Sequence, residues 1–140
     1  QGYWDVGLQT MAPVLTNQGM ISATTSCDSI DVELHDSASP FGIVANTRAI
    51  LNQYGAAQST FPAVSGNYYI VLKHRNAIQT WSSVPVQFNY STVSYDFSIA
   101  ASQAYGDNQV EVSPGVWAIF SGDIVVDENI DLIYRVETIP

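Results

Sequence analysis

The fold class is decided by residues 68–76, which read Tyr-Tyr-Ile-Val-Leu-Lys-His-Arg-Asn. A run of bulky, β-favouring side chains passes directly into basic and polar ones, as expected of a strand whose faces meet different surroundings. Upstream, residues 61–67 resemble the end of another strand followed by a tight turn at Ser65-Gly66-Asn67. The segment therefore predicts a strand, a turn at 65–67, and a central strand over 68–75.

The rest of the chain repeats this pattern of short apolar runs separated by Gly, Pro, Asn, Asp and Ser. In residues 30–35, Ile, Val and Leu alternate with Asp, Glu and His, which predicts one buried and one wet face. Further strands are predicted at 3–15 (one strand or two short ones), 43–51, 57–61 (as a hairpin), 84–90, 93–99 and 116–120. Residues 36–40 are predicted as a loop, and 100–108 as a loop or one helical turn. The expected fold is an all-β, antiparallel, immunoglobulin-like or prealbumin-like β-sandwich.

The length of 140 residues indicates a single domain, residues 1–140, able to bury roughly 70% of its unfolded surface. Within it we distinguish an N-terminal strand segment, 1–27, and an acidic tail, 121–140. Cys27 is the one cysteine, so no internal disulfide can form. We expect it to be a small, partly buried side chain, with pairing to another chain as the alternative.

The charge balance argues against several classes of partner. Thirteen acids against four Lys and Arg give a net charge of -9, which repels nucleic-acid phosphates and anionic membranes. No run of about 18 apolar residues is present, so membrane insertion is not expected. Only 12% of residues are charged, about half the usual share, and the neutral polar surface favours a secreted protein.

Two stretches carry a family resemblance: YYIVLKHRNAIQTWSSVPVQF at 68–88 and YDFSIAASQAYGDNQVEVSPGVWAIFSGD at 95–123. The matching positions are Lys73, His74, Arg75, Asn76, Thr80, Trp81, Tyr95, Asp96, Phe97, Tyr105, Gly106, Asn108, Gly115, Val116, Trp117, Gly122 and Asp123. From about Asp28 onward the chain resembles an accessory β-sandwich module of large secreted and cell-surface proteins of Bacteroidota. The resemblance implies an extracellular or cell-surface location and an accessory role beside other domains.

That family commonly continues into a dockerin-like acidic loop, and the tail resembles a degenerate one. Its candidate metal-binding oxygens belong to Asp123, Asp127, Asn129 and Asp131. However, Val125 and Tyr134 occupy positions that need oxygen ligands, and Glu128 replaces the glycine of the sharp turn. We therefore predict no cofactor and a solvated acidic hairpin or strand, with a calcium site as the alternative.

Catalytic motifs were sought and not found in the sequence. The two histidines, His35 and His74, fit no zinc-ligand spacing, and no Gly-x-Ser-x-Gly elbow or phosphate-binding loop is present. No pair of carboxylates is placed for glycoside cleavage. The prediction is that the chain is not an enzyme.

Five residues are candidates for ligand binding: Trp81, Lys73, His74, Arg75 and Asn76. Trp81 lies beside Thr and Ser residues, which favours an exposed platform for sugar rings, whereas Trp117 is predicted to be core. The basic triplet can contact an anion, or can pair internally with Asp96 or the acids of 31–36. Asn76 most simply begins a turn.

Two functions follow as hypotheses. The first is a non-catalytic extracellular structural or assembly module, a surface or filament subunit that uses strand addition. Its partners would be copies of itself or other surface proteins, and residues 3–15 are the candidate donor strand. The alternative is a carbohydrate-binding module of a secreted multidomain protein, with polysaccharide as the partner.

Overall fold

The computed structural model describes residues 4–20 and 25–122 of the chain. The acidic tail with Asp123, Asp127, Asn129 and Asp131 lies outside the described residues, so its calcium alternative stays a prediction. The strands in the described part are β1 (Trp4–Asp5), β2 (Thr10–Met11), β3 (Ser26–Asp36), β4 (Ile43–Asn52), β5 (Ser65–His74), β6 (Ala77–Trp81), β7 (Val86–Asn89), β8 (Val110–Ser113) and β9 (Val116–Ala118). The helical segments are α1 (Val14–Asn17) and two 3₁₀ turns, Ala101–Gln103 and Tyr105–Asp107.

The main sheet contains five antiparallel strands in the order β4-β3-β5-β6, with β7 also paired to β5. The strands β7 and β6 follow one another along the same side of β5, because β7 pairs with its first residues and β6 with its last. Two small antiparallel sheets, β1-β2 and β8-β9, complete the described part. This architecture confirms the predicted all-β, sandwich-like fold class.

The core lies on one face of the main sheet. The alternation predicted in 30–35 places Ile30, Val32 and Leu34 of β3 on that face, where all three are buried. Val32 lies opposite Leu72 of β5 in the register of the sheet. Burial of each large aliphatic side chain stabilises the fold by about 1.5–3 kcal/mol. The packed cluster consists of Ile30, Val32 and Ala49 with Leu51, Phe61, Ile70 and Leu72 around them.

The predicted turn at 65–67 is wrong, because these residues already form the first part of β5. Ser65 pairs with Asn89 and Gly66 with Phe88, so β7 supplies the partner strand that extends β5 backwards. Gly66 has φ of 136°, and a Cβ there would lie 3.0 Å from the hydroxyl oxygen of Tyr68. Gly66 therefore marks a strand position that a residue with a side chain could adopt only under strain, and not a reversal of the chain.

Three other strand predictions also need correction. Residues 57–61 contribute only a single bridge, Leu51 to Ala57, instead of a hairpin. Residues 93–99 are irregular, although their alternate side chains are half-buried as the pattern suggests. Strand β6 was not predicted, and it forms because the Arg75-Asn76 turn folds the chain back along β5. Alternation records which side chains are covered, and it does not show whether a partner strand is available.

The N-terminal segment follows the alternative of two short strands, β1 and β2, and adds the one-turn helix α1. The side chain of Asp5 accepts hydrogen bonds from the backbone N–H groups of Gly7 and Leu8, at 2.8 and 3.0 Å. The indole N–H of Trp4 donates to the hydroxyl of Ser113 in β8 at 2.9 Å, which ties the hairpin to the second small sheet.

Strand β7 begins directly after Pro85, which has no backbone N–H to donate to a ladder.

Two further predictions concern burial. Cys27 is fully buried, and burial, followed by the neighbouring charge of Asp28, raises the pKa of its thiol. Trp117, predicted as core, is only half-buried in β9. None of the helices in the described ranges has the length and apolar character needed to cross a membrane.

Candidate functional site

The second face of the main sheet, which we call the polar face, carries charged and aromatic side chains. Directly opposed residues of antiparallel strands project on the same side. Asp31 of β3 lies opposite Arg48 of β4 and Lys73 of β5. Farther along, His35 lies opposite Tyr69. The predicted wet face of residues 30–35 therefore becomes the middle of a row of side chains that crosses the sheet.

One end of this row is an exposed ion pair. The guanidinium of Arg48 donates from Nε to Asp31 Oδ1 at 2.6 Å and from Nη2 to Oδ2 at 2.9 Å. This bidentate hydrogen bonding and the charge of Arg48 hold the pKa of Asp31 below its usual value. The same carboxylate raises the pKa of Arg48. Because both side chains are substantially exposed, the pair contributes little to stability.

Glu33 lies in the middle of the row and is far more enclosed. Its Oε2 atom accepts from Lys73 Nζ at 3.0 Å and from His35 Nε2 at 2.7 Å. Burial raises the pKa of Glu33, but the hydrogen bonds from His35 and Lys73 outweigh it, so the pKa lies below its usual value. Lys73 thus has an internal partner among the acids of residues 31–36, as the internal-pairing alternative predicted.

The prediction that His35 faces solvent is wrong, because the ring is only 7% exposed. The ring of Trp81 covers it, with the centroids 4.5 Å apart, and the register of β3 shifts between Leu34 and His35. Its Nδ1 lies 2.8 Å from the carbonyl oxygen of Phe41, and its Nε2 faces Glu33. Both contacts are hydrogen bonds only when both ring nitrogens carry protons. The histidine thereby connects the loop before β4 to the polar face.

The basic triplet does not form one site, because Lys73 and His74 point to opposite sides of β5 and Arg75 lies in the turn that follows the strand. Lys73 lies on the polar face, whereas His74 and Arg75 converge on Asp28, whose side chain is 0% exposed. Arg75 reaches the two carboxylate oxygens at 2.7 Å, and His74 Nε2 lies 3.0 Å from Oδ2. Asn76 forms the turn to β6, as predicted. The groups predicted as anion ligands therefore contact acids of the chain itself.

Asp96, the other predicted partner of the triplet, serves a local purpose. Its Oδ1 accepts from the backbone N–H of Ser98 at 2.8 Å and from the Ser98 hydroxyl at 2.6 Å. The acid that holds His74 and Arg75 is Asp28, which the sequence analysis did not propose. The signal that could have found it is its position at the start of β3, beside the end of β5.

Trp81, predicted as an exposed platform, is half-buried, and it borders an open depression of about 350 Å³. The depression is lined by Ile78, Gln79, Trp81, Tyr105 and Asn108. Sequence reasoning proposed Trp81 as a ligand-binding residue and missed the other four, Ile78, Gln79, Tyr105 and Asn108. Gln79 and Trp81 share one side of β6 because they are two positions apart, so recognition of β6 would have associated them. Tyr105 and Asn108 approach through the irregular segment after residue 99. Both are among the positions that carry the family resemblance, but no local pattern associated them with Trp81.

The chain reversal at residues 105–108 positions the far wall of this depression. Gly106 and Asp107 both have positive φ, 66° and 55°, so the backbone turns sharply between the two lining residues. The side-chain amide of Asn108 donates to the backbone carbonyl of Gln79 at 3.2 Å, which fixes the loop against β6. Tyr105 remains 66% exposed beside it.

A second feature is the outer edge of β4, which we define as residues 43–50. Among the described residues, this part of β4 pairs with a strand on its β3 side only. The adjoining segment reaches β4 only beyond that point, through the bridge from Leu51 to Ala57. Ile43, Val44 and Ile50 are 54%, 46% and 48% exposed. The β4 edge therefore combines unpaired backbone with exposed aliphatic side chains.

Within residues 4–20 and 25–122, no group of three or more His, Cys, Asp or Glu side chains is arranged to hold a metal ion. Comparison of the chain with the models of known protein families, with curated proteins and with solved structures found no match. The resemblance to a Bacteroidota accessory module therefore stays a prediction.

Proposed function

We propose that the chain is a non-catalytic extracellular module that assembles with copies of itself, or with other surface proteins, by strand addition at the β4 edge. The observation that carries this proposal is the ten-residue strand β4 with one unpaired side over 43–50 in the described structure. An unpaired edge presents a row of N–H and C=O groups that can pair with a further strand.

The β4 edge has few of the features that usually prevent an edge strand from pairing with a further strand. Proteins commonly block such edges with lysine, proline or an inward charge. The β4 edge carries one basic residue, Arg48, whose charge is neutralised by Asp31. No proline occurs between Ile43 and Asn52. The pairing of β4 with β3 is irregular near Ile43. Leu34 pairs with Ala45, but the next residue, His35, pairs with Ile43, so the regular edge begins at Ala45.

The donor strand is a separate matter. Residues 3–15 were predicted as the donor, and in this conformation the described part of them forms the β1-β2 hairpin and α1. Donation by this segment would require release of the hydrogen bond between Trp4 and Ser113. The acceptor edge needs no such rearrangement, which is why the proposal is based on β4.

The non-catalytic part of the proposal is supported by how the ionisable side chains are used. Lys73 and His35 contact Glu33, Arg48 contacts Asp31, and the buried Asp28 binds two bases. These groups are satisfied by each other across the sheet. Asp31 and Arg48 also border an open depression of about 470 Å³ with Asn46 and Thr47, but there the two charges are paired with each other. The low charged fraction and the predicted secretion support an extracellular location.

The test is the solution mass of the full chain by analytical ultracentrifugation over a range of concentrations. The double variant Ile43→Lys/Ile50→Lys adds two charges to the β4 edge and is expected to stay monomeric while the wild type associates. The matched control is Val84→Lys/Ile99→Lys, which adds the same charge at two apolar residues that are each 58% exposed. A wild type that is monomeric throughout, or a β4 variant that associates like the control, would refute the proposal.

A further inference from the structure

We infer that the depression between β6 and the 105–108 reversal binds a neutral sugar ring, stacked against Trp81 and Tyr105. This site lies at the opposite side of the main sheet from β4, since the strand order is β4-β3-β5-β6. The inference therefore does not depend on the assembly proposal, and either can fail without the other.

The indole ring of Trp81 is held in place without a ligand. Trp81 contacts His35 at 4.5 Å and Tyr69 at 5.8 Å between ring centroids, in tilted and edge-on arrangements. His35 is itself fixed by Glu33 and by the carbonyl oxygen of Phe41. A ring held in this way loses little conformational entropy when a ligand stacks on it. The structure thus supplies a rigid indole whose remaining surface borders the depression.

The other residues that line the depression match the chemistry of a sugar ring. A pyranose ring presents apolar C–H faces and a rim of hydroxyl groups, so it needs aromatic surface with both donors and acceptors beside it. The side-chain amides of Gln79 and Asn108 carry both kinds of group. Asn108 uses its N–H on the carbonyl oxygen of Gln79, and its Oδ1 accepts no hydrogen bond from the described residues. Ile78 adds apolar surface.

The charge and the size of the depression favour a neutral sugar over an acidic one. None of the five lining side chains is an acid, a base or a histidine. The chain has a net charge of -9, so phosphorylated or acidic sugars are disfavoured. A volume of about 350 Å³ is near the lower limit for ligand sites. Because the depression is open, a ring can enter from the side while a glycan chain continues beyond it.

The experiment is titration of the full chain with hexasaccharides of β-linked glucose, xylose and mannose, and with an oligogalacturonate as the anionic comparator. Binding is measured by calorimetry and by the change in tryptophan fluorescence. The test variant is Tyr105→Ala, which removes an exposed ring without disturbing the contacts of Trp81. The control is Tyr54→Ala, because Tyr54 is 69% exposed and lies outside the depression.

The wild type and Tyr54→Ala are expected to bind at least one neutral hexasaccharide equally, with Tyr105→Ala weaker by about tenfold. Three results would overturn the inference. They are binding of none of the neutral hexasaccharides, equal binding by Tyr105→Ala and Tyr54→Ala, and preference for the anionic oligomer.

Discussion

At the scale of single residues, the most consequential group is the carboxylate of Asp28, which is fully enclosed at the start of β3. Removal of a buried charge from water is costly, and the cost is offset here by hydrogen bonds from His74, Arg75 and the backbone N–H of Ser29. These contacts connect the beginning of β3 to the end of β5. The Lys-His-Arg run is thus explained by two acids of β3: the buried Asp28 pairs with His74 and Arg75, and Glu33 pairs with Lys73.

This arrangement predicts different consequences for two arginines. Substitution Arg75→Met removes a partner from the buried Asp28 and is expected to lower the free energy of unfolding by about 2 kcal/mol, a value reduced to allow for the exposure of Arg75. Arg48→Met is the control, since its partner Asp31 is exposed, and it should leave the denaturation midpoint nearly unchanged. Urea denaturation measures both. Equal effects of the two substitutions would contradict the assigned role of Asp28.

We expect the stability of the protein to depend on pH through Glu33, and the lowered pKa of this carboxyl gives the sign of the dependence. A carboxyl whose folded-state pKa is below its unfolded value stabilises the protein above the unfolded pKa, here about 4.5. That stabilisation is lost as the pH falls through the folded pKa. In Glu33→Gln, the unfolding free energy should therefore fall less steeply with acid than in the wild type. An unchanged slope, from denaturation curves between about pH 6 and pH 3, would exclude this role.

At the scale of secondary-structure elements, alternation predicted burial well and pairing poorly. Ile30, Val32 and Leu34 face the core as expected, because period two directly determines the side of a strand. The segment 93–99 has the same alternation and forms no strand, and among the described residues β9 meets it through a single backbone hydrogen bond, from Trp117 N–H to the carbonyl oxygen of Ser98 at 2.8 Å, instead of a ladder. Pairing depends on which segments meet in three dimensions, and that information is not local.

The surroundings of the candidate site also depend on non-local contacts that the sequence does not show. Trp81 was identified as a possible sugar platform from its neighbours in sequence, but its real surroundings come from three other segments of the chain. His35 and Tyr69 support it from β3 and β5, while Tyr105 and Asn108 approach from the segment after residue 99. No sequence pattern spans those distances, so the depression could be described only from the fold.

Gly66 gives a test of how β5 is built. Its φ of 136° is unfavourable for a residue with a side chain, and a Cβ would crowd the hydroxyl of Tyr68. Gly66→Ala is expected to cost about 1–2 kcal/mol of stability. Gly42→Ala is the matched control, because a Cβ at that position meets nothing within 4 Å and the backbone is not in the positive-φ region. Thermal denaturation compares them, and equal stability of both variants would disprove the strain.

At the scale of the whole molecule, assembly must overcome the charge of the chain. A net charge of -9 makes copies repel one another, and the repulsion weakens as salt shortens the screening length to about 8 Å at 0.15 M. Backbone pairing at the β4 edge and burial of Ile43, Val44 and Ile50 would supply the compensating attraction. We therefore expect higher ionic strength and higher protein concentration both to shift the equilibrium from monomers toward assembled chains.

The most direct test of the β4 edge is amide hydrogen exchange of the full chain at 0.15 M salt, at low and at high protein concentration. We predict that outward-facing amides within residues 43–50 exchange rapidly in the dilute protein and become protected in the concentrated one. Amides of β8 should exchange at the same rate in both. If the exchange of residues 43–50 does not change with concentration while the solution mass rises, the chain assembles through another surface and the account is wrong.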